Sequence, residues 1–329
     1  MVLTLNQTES SEMKKVIAIA ALLGLAGAAQ AQVTVYGLID AGWTKSDAVG
    51  NEGKLAYSNN STTKVGLKGT TDLGSGFKGN FNLEAGNVTF PGKSSQFFDR
   101  QAWFSLSSGM GEIRAGTQDS VAFRALIGFD LNGAANDTMA AGLAGVPVLG
   151  QNGVQAMAGG TKELASYISP SMGGFQVAIG LTPKGDAQLF NADTTAKANS
   201  SLSLTYAQGP LAAALAFESA SSDAAARANS NNYSAVAGSY DFGVAKVSGV
   251  YANGGKNNIG WSAGVAVPVA GATIGVQYAK NTDTSNTGTE LFVNKEVLKN
   301  TYGYFEYGIT SPNVGTKVNQ YSVGLMYVF

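Results

Sequence analysis

The sequence of 329 residues contains no histidine and no cysteine, and these two absences remove several classes of function. Without histidine there is no Ser-His or Cys-His catalytic pair, and without cysteine there is no thiol nucleophile. The missing cysteine also excludes a disulfide framework and thiolate metal sites. Glycine-rich stretches such as Gly254-Gly255 lack the Lys-Ser/Thr and the following helix of a phosphate loop. We therefore expect a protein that is not an enzyme and that carries no cofactor and no metal centre.

Charge is also scarce in this chain. Lys, Arg, Asp and Glu together make up 13% of the residues and the net charge is −1, so nothing indicates a nucleic-acid partner. Glycine, by contrast, occurs 43 times. Few charges, many glycines and alternating aromatic residues fit strands that meet lipid on one face and water on the other.

The first 31 residues read as an export signal. Met13-Lys14-Lys15 forms a short positive region, residues 16–28 form an unbroken apolar run, and Ala29-Gln30-Ala31 is a small-x-small cleavage site. The apolar run is too short to cross about 30 Å of hydrocarbon, so we expect a cleaved leader rather than a membrane anchor. The mature domain is then predicted to span 32–329. Residues 1–12 precede the natural-looking start at Met13, and a misassigned start codon is the plain explanation for them.

A period of two residues governs the mature chain. In residues 77–86 one face carries Phe77, Gly79, Phe81, Leu83 and Ala85, and the other carries Lys78, Asn80, Asn82 and Glu84. This is the pattern of a half-buried strand. The same alternation predicts sixteen strands at 33–44, 61–71, 77–86, 97–107, 111–118, 162–168, 175–182, 199–207, 211–219, 232–240, 244–252, 259–267, 272–280, 290–296, 301–310 and 318–329.

The connections between these strands alternate between short and long. Tight turns such as 72–76 and 268–271 alternate with long polar loops such as 183–198 and 219–231. That asymmetry, with an even number of strands, predicts an all-β, sixteen-stranded antiparallel transmembrane barrel of the outer membrane. The longest insertion, at about 119–161, is rich in Gly and Ala and lacks strand alternation, which is typical of a functional or disordered segment.

At this point the chain resembles the Gram-negative general porins, in particular the trimeric, sixteen-stranded kind common in β-proteobacteria. The segments that carry the resemblance are VTVYGLID at 33–40, TKVGLKGTTDLG at 63–74, RQAWFSL at 100–106, YISP at 167–170 with Gly174-Phe175 beyond it, and the end of the chain at 323–329. The resemblance implies a homotrimer in the cell outer membrane that passes ions and small hydrophilic solutes by diffusion. It also implies that a long third loop folds into the pore, where its acidic groups face cations on the wall, and that Phe329 is part of an assembly signal.

Strand phase singles out four cations as pore-wall residues. Lys64 and Lys68 alternate with Val65 and Leu67, Arg100 has the opposite phase to Trp103, and Arg114 alternates with Ile113 and Ala115. A charge that faces lipid at mid-membrane costs about 2–4 kcal/mol, so these four side chains are predicted to face the lumen. The resemblance assigns Lys64 and Arg100 to wall positions, whereas Thr117 stands where Arg is common and 162–167 lacks the expected Arg and Asn-Ser. The predicted acids of the constriction loop are Asp119, Asp130 and Asp137.

Three readings compete at this stage. The first is a diffusion porin whose opposed charges create a transverse field across the pore; its cations could instead only tether the loop. The second is an outer-membrane adhesin or structural surface protein without transport, and the third is an outer-membrane hydrolase, which the missing histidine disfavours. Aromatic residues near strand ends are predicted to form an interfacial girdle rather than sugar-stacking sites; they are Tyr36, Trp43, Phe90, Tyr251, Trp261, Tyr278, Tyr304, Tyr307 and Tyr327.

Overall fold

A computed structural model describes residues 32–48, 55–58, 60–86, 98–150, 162–182, 198–219 and 231–329. The predicted leader at 1–31 and Phe90 lie outside the described residues. Over the described part of the chain, no helix has the length and apolar character needed to cross a membrane.

The described residues form seventeen strand segments and three short helical segments. The strands are β1 (Gln32–Ser46), β2 (Leu55–Ser58), β3 (Lys64–Gly74), β4 (Phe77–Ala85), β5 (Gln101–Ser108), β6 (Gly111–Asp119), β7 (Lys162–Ile168), β8 (Phe175–Thr182), β9 (Asn199–Gln208), β10 (Leu211–Glu218), β11 (Tyr233–Asp241), β12 (Lys246–Asn253), β13 (Ile259–Val269), β14 (Ala272–Asn281), β15 (Thr287–Leu298), β16 (Thr301–Ser311) and β17 (Val318–Val328). Between β6 and β7 lie α1 (Val121–Leu126), a 3₁₀ turn (Ile127–Phe129) and α2 (Ala140–Ala144).

The strands close into one antiparallel barrel. Neighbours in sequence pair with each other around the sheet, and β17 pairs back onto β1 from Leu38↔Val328 to Ser46↔Gln320. The segments β2 and β3 both pair with β1, at different heights, and so form two parts of one wall strand. The described barrel therefore has sixteen wall strands, which confirms the predicted architecture. Closure leaves no unpaired strand edge for lipid to meet.

The alternation of side chains divides the wall into an apolar outer face and a polar inner face. On β1, Val35, Ile39 and Trp43 are exposed on the outside, whereas Asp40 is fully buried on the inside. The same contrast holds on β17, where Val323 and Leu325 are exposed and Ser322 is buried. An outward apolar band with a polar interior is the arrangement that a membrane barrel requires.

The segment between β6 and β7 lies against the inner face of the wall. The helix α1 contacts β9 and β10, and α2 contacts β14, β15 and β16. Small and apolar loop residues pack there against wall alanines, so that Leu126, Ala144 and Ala279 are each fully buried. The sequence predicted no regular structure at 119–161, and the two helices correct that reading. Each helix has six residues or fewer, which is too short for a clear helical period to appear in the sequence.

Candidate pore constriction

A buried carboxylate on β4 organises the predicted cationic wall. Glu84 is 5% exposed. Its Oε1 accepts a hydrogen bond from Arg100 Nε at 2.7 Å, and Lys64 Nζ lies 3.9 Å from its Oε2. Tyr36 Oη donates to the same Oε2 at 2.8 Å. Two of the predicted wall cations therefore share one wall acid, and this acid was not assigned a role from the sequence.

Arg100 reaches Glu84 from a position outside the strand. The strand β5 begins at Gln101, and the Arg100 amide donates to the Glu84 carbonyl at 3.1 Å. Gly86 makes room for the side chain, because a Cβ there would lie 2.1 Å from Arg100 Cδ. The predicted strand 97–107 wrongly placed Arg100 and Trp103 on opposite faces. The alternation begins only after Arg100, so both side chains lie on the inner side.

A row of paired residues runs across β3, β4, β5 and β6 on the inner wall, on the short-turn side of Glu84. The register places Lys68 beside Asn82, Asn82 beside Trp103, and Trp103 beside Gly116. The Lys68 ammonium lies 5.0 Å from the centroid of the Tyr36 ring. Lys68 therefore lies on the same face of the wall as Tyr36 and Asn82, and no ion-pair partner is recorded for it among the described residues.

Arg114 is held on the same wall by two different contacts. Its Nε and Nη2 donate to the two carboxylate oxygens of Glu112 at 2.8 and 3.0 Å. Its guanidinium carbon lies 4.2 Å from the centroid of the Trp103 ring, within the range of a cation–π contact. Trp103 is fixed in turn, because its Nε1 donates to Gln101 Oε1 at 2.8 Å. The inner wall thus presents cations together with acids and aromatic rings.

The loop adds a further cation that sequence reasoning missed. The helix α1 begins after Ser120, whose Oγ accepts from the Phe123 amide at 3.0 Å and donates to Glu218 Oε1 at 2.7 Å. Arg124, in the last turn of α1, points its guanidinium at Gln118 and Ser166 of the wall, each at 3.4 Å. A helix of six residues is too short to show a helical period in the sequence, so the position of Arg124 could not be predicted from it.

Asp119 was predicted as a loop acid, and the structure corrects its place. Asp119 is the last residue of β6, where it pairs with Lys162 of β7. Its Oδ2 accepts from Gln101 Nε2 at 2.7 Å. The predicted strand ended at residue 118, and that error of one residue moved Asp119 from the wall into the loop.

Asp130 is directed towards β14 rather than across the lumen. Its Oδ1 accepts from the amides of Asn132 and Ala134, at 3.0 and 2.8 Å, and its Oδ2 accepts from Gln277 Nε2 at 3.2 Å. Burial of this loop carboxylate raises the pKa of Asp130, although the hydrogen bonds that it accepts oppose the rise. Asp130 therefore shapes the loop turn and holds it to the wall.

Asn132 and Thr138 extend this attachment to β15 and β16. Asn132 Nδ2 donates to Glu290 at 2.7 Å and to Glu306 at 2.8 Å. Thr138 Oγ1 donates to Glu306 as well. Two buried wall acids thus fasten the loop through neutral donors.

Asp137 fastens the loop to the strands where the barrel closes. Its carboxylate accepts hydrogen bonds from Thr44 of β1 and Ser322 of β17. Its amide donates to Asn60 Oδ1 at 3.0 Å, and its carbonyl accepts from Gln320 Nε2 at 2.7 Å. The recorded partners of Asp130 and Asp137 are therefore loop and wall groups rather than the cations of β3–β6. In the described parts of the chain, no cluster of three acidic residues has the arrangement needed to hold a metal ion.

Phe329 lies at the seam of the barrel. Its backbone exchanges two hydrogen bonds with Gly37, at 3.0 and 3.1 Å. Its ring stacks on Tyr327 with centroids 5.9 Å apart, and a Cβ at Gly37 would lie 2.4 Å from Phe329 Cζ. The last residue thus covers a glycine of the first strand on the outer face.

The aromatic residues divide between the two faces. Trp43, Tyr251 and Tyr327 are about half exposed on the outer face, as a girdle requires. Tyr36 and Tyr304 correct the prediction, since both point inward. Tyr36 bonds Glu84, and Tyr304 Oη donates to Asp40 at 2.8 Å. Their strand phase already opposed the outward apolar residues, and that signal was available in the sequence.

Comparison with known proteins agrees with this architecture. The sequence model of the family described as Gram-negative porin matches residues 18–329. Outer membrane porin protein 32 of Delftia acidovorans is 32% identical over 285 residues, which cover 81% of this chain and 80% of that protein. An outer-membrane porin of Bordetella pertussis is 33% identical over 294 residues, which cover 78% of this chain and 73% of that protein.

Among solved structures, the anion-selective porin from Comamonas acidovorans superposes with a TM-score of 0.73 at 22% identity. The match covers 91% of this chain and 100% of that structure. At this identity the likeness concerns the fold.

Proposed function

Because this chain belongs to the Gram-negative porin family and forms an outer-membrane channel, we propose that its lumen passes anions in preference to cations. The passive diffusion of ions and small hydrophilic solutes follows from the family and the closed barrel. The sign of the selectivity and the residues that set it are the proposal. The polar, charged interior favours a channel over an adhesin, because a surface protein of purely structural function needs no water-filled lumen.

The observation that carries the proposal is the charge of the inner wall from β3 to β6, where four cations outnumber three acids: Lys64, Lys68, Arg100 and Arg114 against Glu84, Glu112 and Asp119. Glu84 faces both Lys64 and Arg100. Glu112 balances Arg114, whereas Lys68 contacts an aromatic ring rather than an acid. An uncompensated positive wall beside an aqueous path raises the local concentration of anions. The porin from Comamonas acidovorans, which has the same fold, is anion-selective, and this supports the same sign here.

The loop between β6 and β7 is proposed to narrow the lumen opposite this wall. It is held along β9 to β17 and at β1 by the contacts of Glu218, Gln277, Glu306 and Asp137. A loop held on that side leaves the cations of β3–β6 facing the remaining opening. Charge selection is strongest where the path is narrow, because the fixed charges then lie within a screening length of about 10 Å at 0.1 M salt.

We further propose a homotrimer. The support is the family resemblance together with the broad apolar outer face of the first strand, where Val35, Ile39 and Trp43 are exposed. The short turns are assigned to the periplasm and the long loops to the outside, by the rule for outer-membrane barrels.

Reconstitution of the full chain in a planar lipid bilayer tests the function. Steady conductance steps, together with a reversal potential of the sign expected for anions in a KCl gradient, are the expected result. An absence of steps from correctly folded protein would exclude channel function. A reversal potential of the opposite sign would refute the anion preference alone.

A further inference from the structure

We propose that the inner wall holds a binding subsite for small organic acids whose carboxylate is attached to a flat ring. The subsite is a cavity of about 340 Å³ on β3–β6, lined by Lys68, Asn82, Trp103 and Arg114 among others. The proposal rests on the proposed anion preference and adds a solute class to it. The cavity lies on the short-turn side of the Glu84 cluster, so that a solute reaches it beside the narrow part of the lumen.

The hydrogen-bonding groups of the cavity are rich in donors and poor in acceptors. Among the described residues, no acceptor is recorded for the Lys68 ammonium, for Asn82 Nδ2 or for Arg114 Nη1. A guanidinium has five N–H donors, and Glu112 engages Nε and Nη2 only. A solute that fits this set must bring acceptors and negative charge.

The acceptors of the cavity are already engaged. Asn80 Oδ1 accepts from Thr70 Oγ1 at 2.9 Å, and Asn82 Oδ1 shares the single proton of Tyr36 Oη with Glu84 Oε2, each acceptor at 2.8 Å. Both oxygens of Glu112 accept from Arg114. A neutral sugar could accept from the same donors but brings no charge to match the cations, whereas a carboxylate brings both acceptors and negative charge.

The requirement for a flat ring comes from Trp103. Its indole is held by the Nε1 bond to Gln101 and by the Arg114 guanidinium over its face, so the platform is ordered before any solute arrives. Guanidinium and indole groups both stack on planar partners. The paired positions place Asn82 directly beside Trp103 and Lys68 one strand further on. A ring at Trp103 and a carboxylate at Asn82 and Lys68 therefore fit within two strand spacings, about 10 Å.

A second cavity of about 380 Å³ lies beside α1. The two share Glu112 and Arg114, and the second is also lined by Arg124, Gln176 and Thr205. Arg114 thus stands between two cavities that both carry cations. An acid that leaves the subsite on this side passes a second arginine, Arg124.

The test measures how three acids of equal charge reduce the KCl current through reconstituted channels at neutral pH. The probes are benzoate, cyclohexanecarboxylate and acetate. We expect benzoate to reduce the current at a concentration about fivefold lower than the other two. Trp103→Leu should abolish that difference and leave the acetate response unchanged. The matched control is Trp261→Leu. Trp261 lies beside Tyr251 on the outer face of the wall, so this variant should behave as the wild type.

The variant Lys68→Gln tests the contribution of the positive charge separately from that of the Trp103 ring. It should weaken the effects of benzoate and cyclohexanecarboxylate by the same factor and preserve the preference for benzoate. Equal potency of the three acids on the wild-type channel would overturn the subsite, as would a Trp103→Leu channel of normal conductance that still prefers benzoate. A cation-preferring wild-type channel would instead contradict the proposed function, and the reversal potential reports that outcome separately.

Discussion

Arg100 Nε lies 2.7 Å from Glu84 Oε1, and this contact joins the residue before β5 to the inner face of β4. The pair is enclosed, because the side chains of Arg100 and Glu84 are 13% and 6% exposed. Lys64 approaches the same carboxylate from β3. The charge of this part of the wall is therefore the balance of two cations against one acid, and each member can be removed separately.

Removal of the two cations should shift selectivity towards cations. In Lys64→Gln with Arg100→Gln the Glu84 charge is left unopposed, so the zero-current potential in a KCl gradient should move towards cation preference. The shift should be larger at low salt, because screening shortens the reach of fixed charges as salt rises. An unchanged potential in a correctly folded channel would mean that these side chains serve only to hold the structure together.

Removal of the acid should have the opposite sign. Glu84→Gln keeps an oxygen that can accept from Arg100 and eliminates the negative charge, so the zero-current potential should move towards anion preference. The matched control is Glu296→Gln, near the short turn after β15, which should leave the potential within error of the wild type. A shift in the same direction as that of the double cation variant would contradict the assignment of Glu84 to the lumen.

Deletion of Phe329 should impair assembly. The deletion removes two backbone hydrogen bonds to Gly37 and the ring that covers this glycine, at the seam where β17 meets β1. We expect the outer-membrane yield of folded, heat-modifiable protein to fall several-fold, whereas Phe242→Ala in an exposed turn should not change it. Equal yields of the deletion and the turn variant would show that the terminal residue is dispensable.

Loss of the Asn132 amide should loosen the loop. Asn132→Ala removes the side-chain amide that donates to both buried Glu290 and Glu306, and the loss of donors to buried acceptors costs about 1–3 kcal/mol. The expected result is greater open-channel current noise with little change in the thermal stability of the barrel, since the strand ladder is untouched. The control is Asn258→Ala, which should show the current noise of the wild type, because within the described part of the chain the Asn258 side-chain amide donates only to Lys256 O, at 3.4 Å. Noise equal in the two variants would argue against this anchor.

The detergent-extracted protein should sediment as three chains per particle. The exposed apolar residues of β1 would be covered in such a particle, which makes it resistant to mild detergent. Analytical ultracentrifugation measures the mass directly, and a clean monomer under mild extraction would rule the trimer out.

Much of the fold could be predicted from the sequence because a strand that faces lipid and water must alternate. The predicted strand at 162–168 coincides with β7, and the one at 175–182 coincides with β8. The second wall strand was harder to predict, because a turn at residues 60–63 divides it into β2 and β3. No change of period in the sequence marks that turn.

The candidate site was less predictable, because its contacts depend on tertiary pairing. Strand phase placed Lys64, Lys68 and Arg114 on the lumen side, but it could not reveal that Glu84 binds two cations from neighbouring segments. It also misplaced Trp103, because the strand was assumed to begin before Arg100. Asp130 and Asp137 were predicted as loop acids, but the direction of their side chains is set by hydrogen-bond donors on β14, β1 and β17. These donors lie between 93 and 185 residues away in the chain.

Gly66 has a consequence for how such a channel can evolve. The ring of Tyr36 lies flat across it, since a Cβ at this position would lie 2.4 Å from Tyr36 Cζ. Any larger residue would displace the ring towards the solute path and take with it the hydroxyl that bonds Asn82 and Glu84. A substitution at Gly66 would therefore change both the width of the lumen and the hydrogen bonds of its charged groups. A larger residue at position 66 would therefore have to be accompanied by a smaller one at position 36.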